Sequence, residues 1–273
     1  MLSHRSDTQR KDSLSFLTSA VAGSAANSPL PQPVSVIVPT LLPLVLDGSN
    51  SVRCQLIRLL RALPAGEVED HVDQLLLYIR AGMTHLAADI RATAVEVLDW
   101  LLEVSGLETV SCAGGWVKTL KCFLALLGWQ DEDGSAKWSG GRVSFGKAGS
   151  EGKSLVKNLT VLATFLRVGL LTTPGEAGEG LLSDFPLWHM RYHILPRNSN
   201  CFVHLNLFGT PRDAESGMYE DREERQMVFH THFESLINRG LETARKEGGE
   251  VGRAAALVIK TITGGMDDSV RTI

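Results

Sequence analysis

The chain has 273 residues, of which 44% are apolar, enough to build the core of one extended or two compact domains. Its 31 acidic and 27 basic residues give a formal net charge of -4, which excludes a whole-molecule positive field that would hold nucleic acid by counterion release. The four cysteines form no CxxC pair, so we expect free thiols and a reducing compartment, cytosol or nucleus.

The first predicted element is a helix over residues 7–22, with Ser6 or Asp7 as its candidate N-cap. A linker follows at 24–33, because its three prolines forbid a continuous helix. No partner helix precedes residue 7, so we expect the chain to begin in mid-repeat.

Two helix pairs are predicted next. Residues 34–46 pair with 51–63 across a turn at Asp47-Gly48-Ser49. Residues 68–82 pair with 87–104. The segment 34–46 is the longest apolar phrase, but it spans 13 residues with two prolines and is too short and too broken to cross a membrane.

Three of these helices begin with the same phrase, a chain turn, then an arginine, then a strongly apolar run. The arginines are Arg10, Arg53 and Arg91, and their spacings of 43 and 38 residues are typical of HEAT or armadillo repeats. Apolar residues recur four and seven positions after each arginine: Leu14, Ile57 and Val95, then Leu17, Leu60 and Leu98. The pattern predicts a stack of helix pairs, whose usual work is to bind other macromolecules rather than to catalyse. We expect Arg53 and Arg91 to be internal ladder residues of this stack rather than RNA contacts.

The second half of the chain is less regular. A helix over 115–127 begins a fourth pair, a glycine-rich insertion occupies 129–153, and a helix over 154–171 completes the pair. Another irregular excursion covers 172–210. Thr210 and Pro211 then predict the start of one long helix, or two abutting helices, over 212–246.

The charged stretch from Glu220 to Arg225 opens that helix and is interpreted as a solvated face. A last amphipathic helix is predicted over 250–263. The whole chain, 1–273, is therefore predicted to be a single all-α domain, a HEAT- or armadillo-like superhelix with irregular loop insertions. Its regular repeats cover about 1–128, and its C-terminal helices cover 154–265.

Two sequence patterns partly resemble functional sites, one a phosphate-binding loop and the other a zinc site. The stretch 146–154 approaches a phosphate-binding loop, but the spacing puts Lys147 where a glycine is required, and no buried strand precedes it. Four residues could surround zinc, although their spacing matches no standard zinc module: His189, His193, Cys201 and His204. We favour a lysine-bearing loop and packing histidines, and we predict no enzyme activity, no cofactor and no metal site.

The insertion contains candidate anchors for a protein partner. Trp129 and Trp138 bracket an acidic run, and Phe145 follows. Aromatic side chains supply much of the binding energy at protein interfaces, so these three are the predicted partner-binding residues. The alternative for Trp129 is that it caps the preceding helix. Trp100 and Trp116 are expected in the core.

Several phrases carry a family resemblance. They are LLPLVLDGSNSVRCQLIRLLRALP at 41–64, YIRAGMTHLAADIRATAVEVLDWLLE at 78–103 and GGWVKTLKCFLALLGW at 114–129. They resemble the fungal pre-rRNA-processing proteins of the Ipi type, which are related to the N-terminal domain of the animal testis-expressed nucleolar scaffold protein. The resemblance covers essentially the whole chain. Its most specific part is the Gly-Met-Thr-His phrase followed by the Ile-Arg helix.

The resemblance implies a non-catalytic subunit of the nuclear Rix complex, located in the nucleolus and nucleoplasm, which joins maturing pre-60S particles. Its implied partners are a WD-repeat subunit, a second helical-repeat subunit and a midasin-type AAA ATPase, which the complex helps to recruit during removal of the second internal transcribed spacer. Direct rRNA contact is secondary given the net charge, and no membrane is implied. The alternative is a different helical-repeat adaptor, such as a transport or signalling scaffold. Candidate RNA contacts are His4, Arg5, Arg10, Lys11, Arg191 and Arg197.

Overall fold

The computed structural model describes residues 2–23, 32–129, 150–171 and 214–270, and within these ranges all regular structure is helical. The α-helices are α1 (Asp7–Ala22), α2 (Val34–Leu41), α3 (Asn50–Ala62), α4 (Ala65–Val68), α5 (Val72–Met83), α6 (Ala88–Ser111), α7 (Gly115–Leu127), α8 (Ser150–Leu170), α9 (Arg222–His232), α10 (Glu234–Glu247) and α11 (Gly249–Val270). Short 3-10 segments are Leu42–Leu46, Glu69–His71 and Ala214–Ser216.

The helices are stacked in two layers. In the first layer α1, α3, α6, α8 and α11 pack side by side in that order. The second layer contains the 3-10 extension of α2, then α5 and α7. Helices α9 and α10 continue this layer, since Phe229 and Gly240 lie against tryptophans of the α7 region. The all-α stack of helix pairs predicted from the sequence is confirmed.

First-layer helices run in the same direction. Near the middle of α6, Asp99 pairs with Lys157 of α8, and farther along both helices the backbone of Gly106 lies against Val168. Consequently the turns that lead into first-layer helices lie along one side of the stack. We call this side the turn edge and define it by residues 3–6, 47–49 and 84–87.

Helix α7 matches its predicted bounds because glycines flank it on both sides. Gly114 and Gly128 have φ values of +68° and +69°, a left-handed conformation that glycine adopts without steric cost. Helix α6 runs seven residues beyond its predicted end at 104. Its helical geometry breaks at Ser105 (φ -142°, ψ 55°), next to that predicted end.

One hydrophobic core is continuous from α1 to α11. Trp116 contacts two other aromatic rings in this core. Its ring is stacked on that of Phe165, with the centroids 5.1 Å apart, and its centroid lies 6.4 Å from that of Phe229. Trp100 and Trp116 are both buried, as expected.

Two predictions about 212–246 need correction. The segment is not helical throughout, because residues 217–220 form no helix and α9 begins only at Arg222. The interpretation of Glu220 to Arg225 as a solvated face is wrong for Arg225, which is 3% exposed. Its guanidinium is buried because backbone carbonyl oxygens of Gly169 and Tyr219 accept its N–H groups.

Other boundaries differ by a few residues. Helix α8 begins at Ser150, four residues before the predicted start, and α11 ends at Val270, beyond the predicted 263. Residues 130–149 and 172–213, which hold most of the two predicted excursions, lie outside the described residues. In the described ranges no single helix has the length and apolar composition needed to cross a membrane, and α6 and α7 meet that test only as a pair bent by 118°.

Candidate protein-interaction edge

The turn edge is built from one repeated device, which we call the arginine turn. Arg10, Arg53 and Arg91 are each the fourth residue of their helix. In all three, Nη1 donates to the carbonyl oxygen six residues earlier, at distances of 2.8, 2.5 and 2.8 Å: His4, Asp47 and His85. The guanidinium therefore holds the chain just before the helix begins.

In each turn a side chain also accepts a hydrogen bond from the backbone amide two residues later. His4 Nδ1 accepts a hydrogen bond from the Ser6 amide at 3.0 Å, and His85 Nδ1 accepts one from the Ala87 amide at 3.0 Å. Asp47 fills the same position with a carboxylate, which accepts the Ser49 amide at 2.8 Å. Such local side-chain bonds fix a turn because they satisfy its backbone donors.

Arg10 and Arg53 also join neighbouring repeats. Arg10 forms a two-point ion pair with Asp47, with Nε–Oδ2 at 2.7 Å and Nη2–Oδ1 at 2.9 Å. Arg53, fully buried, reaches Asp89 at 2.5 Å and Thr93 Oγ1 at 3.1 Å. The ladder role predicted for Arg53 is present. Arg91 is instead half-buried and bonded to the carbonyls of its own turn, because its Nη1 is taken up by His85 and Leu86.

These contacts favour the charged forms of Asp89 and Arg10. The hydrogen bond from Arg53 lowers the pKa of Asp89 below its ordinary value, and the hydrogen bond to Asp47 raises the pKa of Arg10. Because the pKa of Asp89 is lower in the folded chain, its contribution to stability is present above the ordinary pKa of an aspartate and is lost as the pH falls through the folded value.

The turn at 84–87 presents an apolar tip. Leu86 is 96% exposed. Its carbonyl oxygen accepts Arg91 Nη1 at 2.7 Å, so the backbone that carries the side chain is held in place. A preordered residue binds a partner at a lower entropic cost than a mobile one.

The insertion between α7 and α8 begins at Trp129. Trp129, at its start, is 9% exposed and lies against the backbone of Gly240 on α10, where an added Cβ would come within 2.2 Å of the indole ring. This burial agrees with packing at the end of α7. A partner contact at Trp129 stays a prediction, and Trp138 and Phe145 lie outside the described residues.

Sequence reasoning missed a fourth arginine turn. Arg225 is again the fourth residue of its helix, and its Nη1 donates to Tyr219 and Glu220, six and five residues earlier, both at 2.7 Å. An apolar residue, Phe229, follows four positions later, as in the other three copies. That spacing was the available signal.

Around Arg225 a buried polar junction joins four helices. Arg225 Nε donates to the Gly169 carbonyl at 2.9 Å, and the Arg225 carbonyl accepts the indole N–H of Trp116 at 3.1 Å. The adjacent Gln226 donates to Leu170 and Gly265 at 3.1 and 2.7 Å. The junction ties α7, α8, α9 and α11 together.

The described residues offer no site with metal-binding chemistry, since no three His, Cys, Asp or Glu side chains lie close enough to hold an ion. Of the stretch 146–154, the part from Ser150 onward belongs to α8, and the remainder lies outside the described residues. The four residues considered for zinc, His189, His193, Cys201 and His204, also lie outside them.

Cysteine reactivity should follow burial. Burial raises the pKa of Cys112 and of Cys122 to about 11, whereas Cys54 is exposed. Because the thiolate is the reactive form, we expect a maleimide at neutral pH to modify Cys54 well before Cys112 or Cys122. Peptide mapping by mass spectrometry measures this order, and equal labelling of all three in the folded chain would contradict it.

Comparison with known proteins supplies the family. The chain is 57% identical over 275 residues to the pre-rRNA-processing protein ipi1 of Aspergillus fumigatus, a match that covers 96% of this chain and 78% of the relative. The chain belongs to the Ipi1 family. The ipi1 protein of Sclerotinia sclerotiorum is 50% identical over 273 residues, covering 97% of this chain and 78% of that protein.

A family model described as "Rix1 complex component involved in 60S ribosome maturation" matches residues 66–166, which run from α4 into α8. Among solved structures, a chain of a Rix1-Rea1 pre-60S particle is 24% identical, with a TM-score of 0.48 and 68% of each chain covered. That structural likeness is weak, and the family assignment depends on the sequence relatives. The suspected resemblance to Ipi-type proteins is confirmed.

Proposed function

We propose that the chain is a non-catalytic scaffold subunit of the Rix complex, acting in the nucleus on pre-60S particles and in rRNA spacer processing. The observation that supports this proposal most strongly is its 57% identity to a pre-rRNA-processing protein over 96% of its length. The matched family model, described as a Rix1 complex component, points to the same process.

The architecture suits a scaffold. A two-layer stack buries one continuous core and leaves its turns and its outer helix faces available to partners. The arginine turns fix the edge of the stack, so a partner meets a preordered surface. Two ion pairs join neighbouring first-layer helices, Arg61–Glu96 at 3.6 Å and Lys157–Asp99.

The proposed partners are the WD-repeat and helical-repeat subunits of the complex, with recruitment of a midasin-type AAA ATPase as the joint outcome. Trp129, Trp138 and Phe145 are the proposed anchors for these partners. Direct rRNA contact is a secondary proposal. Arg10 is a poor candidate for it, since Asp47 and the carbonyl oxygens of its own turn already accept its N–H groups.

Affinity purification of the tagged chain from its own cells tests the proposal. We expect the Rix subunits, pre-60S proteins and spacer-containing rRNA to copurify, and we expect depletion of the chain to accumulate spacer-containing precursors. Copurification of transport or signalling factors without preribosomal particles would contradict the proposal. ATP turnover by the isolated chain that Lys153→Ala abolishes would contradict its non-catalytic part.

A further inference from the structure

We propose that the outer side of α4 and α5 is a docking surface for another protein, a segment with an apolar face that carries lysine or arginine at one end. The inference deepens the proposed function, and it depends on that function only for the claim that this protein is a subunit of the same complex. We call the surface the outer stripe and define it by Glu67, Asp70, Gln74, Leu77, Ala81 and Leu86.

The stripe follows from helical spacing. Residues 65–83 form a helical run that is interrupted at His71 (φ -119°, ψ 9°). Within α5, Gln74, Leu77 and Ala81 stand three and four positions apart and share one side of the helix, and Glu67 and Asp70 precede them in the run. All five are exposed, whereas residues of the opposite side are buried: Leu75, Leu76, Ile79 and Met83. Leu86 continues the stripe onto the turn edge.

One end of the stripe is apolar and nearly free of charge. Leu77 on α5 is 61% exposed, and Leu86 on the turn that follows α5 is 96% exposed. Between Asp73 and Asp89 the only lysine, arginine or acid is Arg80, and its Nη1 donates to the Gly114 carbonyl at 2.7 Å. The adjacent 3-10 segment Leu42–Leu46, which packs beside α5, contains no charged residue and exposes Pro43.

The other end is acidic. Glu67, Glu69, Asp70 and Asp73 are all exposed near the start of the helical run. Acids near a helix N-terminus stabilise the helix, which accounts for their place in the sequence. Their combined negative potential also repels nucleic acid and favours a basic group on the partner.

The apolar end and the acidic end of the outer stripe together determine which kind of partner can bind. A protein segment that buries Leu77 and Leu86 gains the hydrophobic contact, and lysine or arginine at its other end meets the acids. RNA satisfies neither half. The preordered turn under Leu86 lowers the entropic cost of the contact.

The test compares two double variants in the full chain. Leu77→Glu with Leu86→Glu alters the stripe, and Met227→Glu with Leu257→Glu is the matched control, because these apolar residues are 62% and 48% exposed on other helices. Each is titrated by calorimetry into the purified, coexpressed WD-repeat and helical-repeat subunits of the Rix complex. Circular dichroism and the melting temperature verify that both variants fold.

We expect the stripe variant to bind about 30-fold or more weakly than the unmodified chain, the loss typical of interface anchors, and the control variant to bind within about threefold. Asp73→Lys should weaken binding and reduce its dependence on salt, because it reverses the charge at the acidic end.

Equal binding by the stripe variant and the unmodified chain would overturn the docking surface and leave the proposed function intact. Failure of the unmodified chain to bind any subunit would overturn the proposed function. If the stripe substitutions abolish only self-association, seen by light scattering of the chain alone, or only RNA binding, the occupant is a second copy or an RNA and the inference is overturned.

Discussion

Replacing Arg53 by alanine is expected to lower the free energy of unfolding by about 3–4 kcal/mol. The side chain is fully buried and donates to the Asp47 carbonyl, to Thr93 Oγ1 and to Asp89. Its removal leaves a cavity between α3 and α6 and deprives one buried acceptor, Thr93 Oγ1, and one partly buried acceptor, the Asp47 carbonyl, of their donor. Asp89 is more than half exposed, so water can solvate its carboxylate, which keeps the loss below that of a fully buried pair.

Arg61→Ala is the matched control for Arg53→Ala. Arg61 lies on the same helix, is exposed, and pairs with a partly exposed Glu96 at 3.6 Å, so its loss should cost no more than about 0.5 kcal/mol. Urea denaturation of the three proteins measures both differences. A similar midpoint for the two variants would show that the ladder contributes little. Arg53→Lys should recover only part of the loss, because an ammonium cannot reproduce the fork that reaches three acceptors.

The stack could be predicted from the sequence because its periodic features are local. Alternation of turn, arginine and apolar helix marks the first three repeats, and Gly114 and Gly128 delimit α7. The cross-repeat partners of the arginines could not be predicted in the same way. Arg53 reaches Asp89 of the next repeat, whereas Arg91 bonds to the carbonyls of its own turn. This difference depends on how neighbouring helices pack, and the spacing of residues does not specify that packing.

Arg225 shows where reasoning from composition fails. All five residues from Asp221 to Arg225 are charged, so the stretch resembles a solvated face. The structure buries Arg225 because the C-terminal end of α8 and the turn before α9 supply carbonyl oxygens that accept its N–H groups. The position of an arginine within its helix was therefore more informative than the charge of its neighbours.

Trp129 illustrates a related difficulty for the candidate site. An aromatic residue at the border of a polar insertion has the composition of an interface anchor, yet the ring is buried against Gly240, more than one hundred positions later in the sequence. Nothing near Trp129 in the sequence points to that glycine. Leu77 and Leu86 are exposed apolar residues. Helix periodicity predicts the exposure of Leu77, whereas the exposure of Leu86 depends on the arginine turn that holds its backbone.

Gly169→Ala is expected to destabilise the chain by about 3 kcal/mol, although alanine normally favours a helix. A Cβ at this position would lie 2.2 Å from Cζ3 and 2.5 Å from Cη2 of Trp116. The indole cannot move aside, because it is stacked on Phe165 and its N–H is bonded to the Arg225 carbonyl. The clash therefore disturbs the polar junction that ties α7, α8 and α9.

Gly152→Ala provides the same substitution in the same helix without the clash, since no atom lies within 4 Å of its added Cβ. It should stabilise the chain by about 0.5 kcal/mol through helix propensity alone. Thermal unfolding of both variants, with Trp116→Phe added to each, separates the causes. Because a phenylalanine ring is smaller than an indole, it should relieve part of the Gly169→Ala loss and none of the Gly152→Ala effect. Purely additive effects at Gly169 and Trp116 would mean that the helix tolerates the methyl group by shifting, and that the polar junction is not rigid.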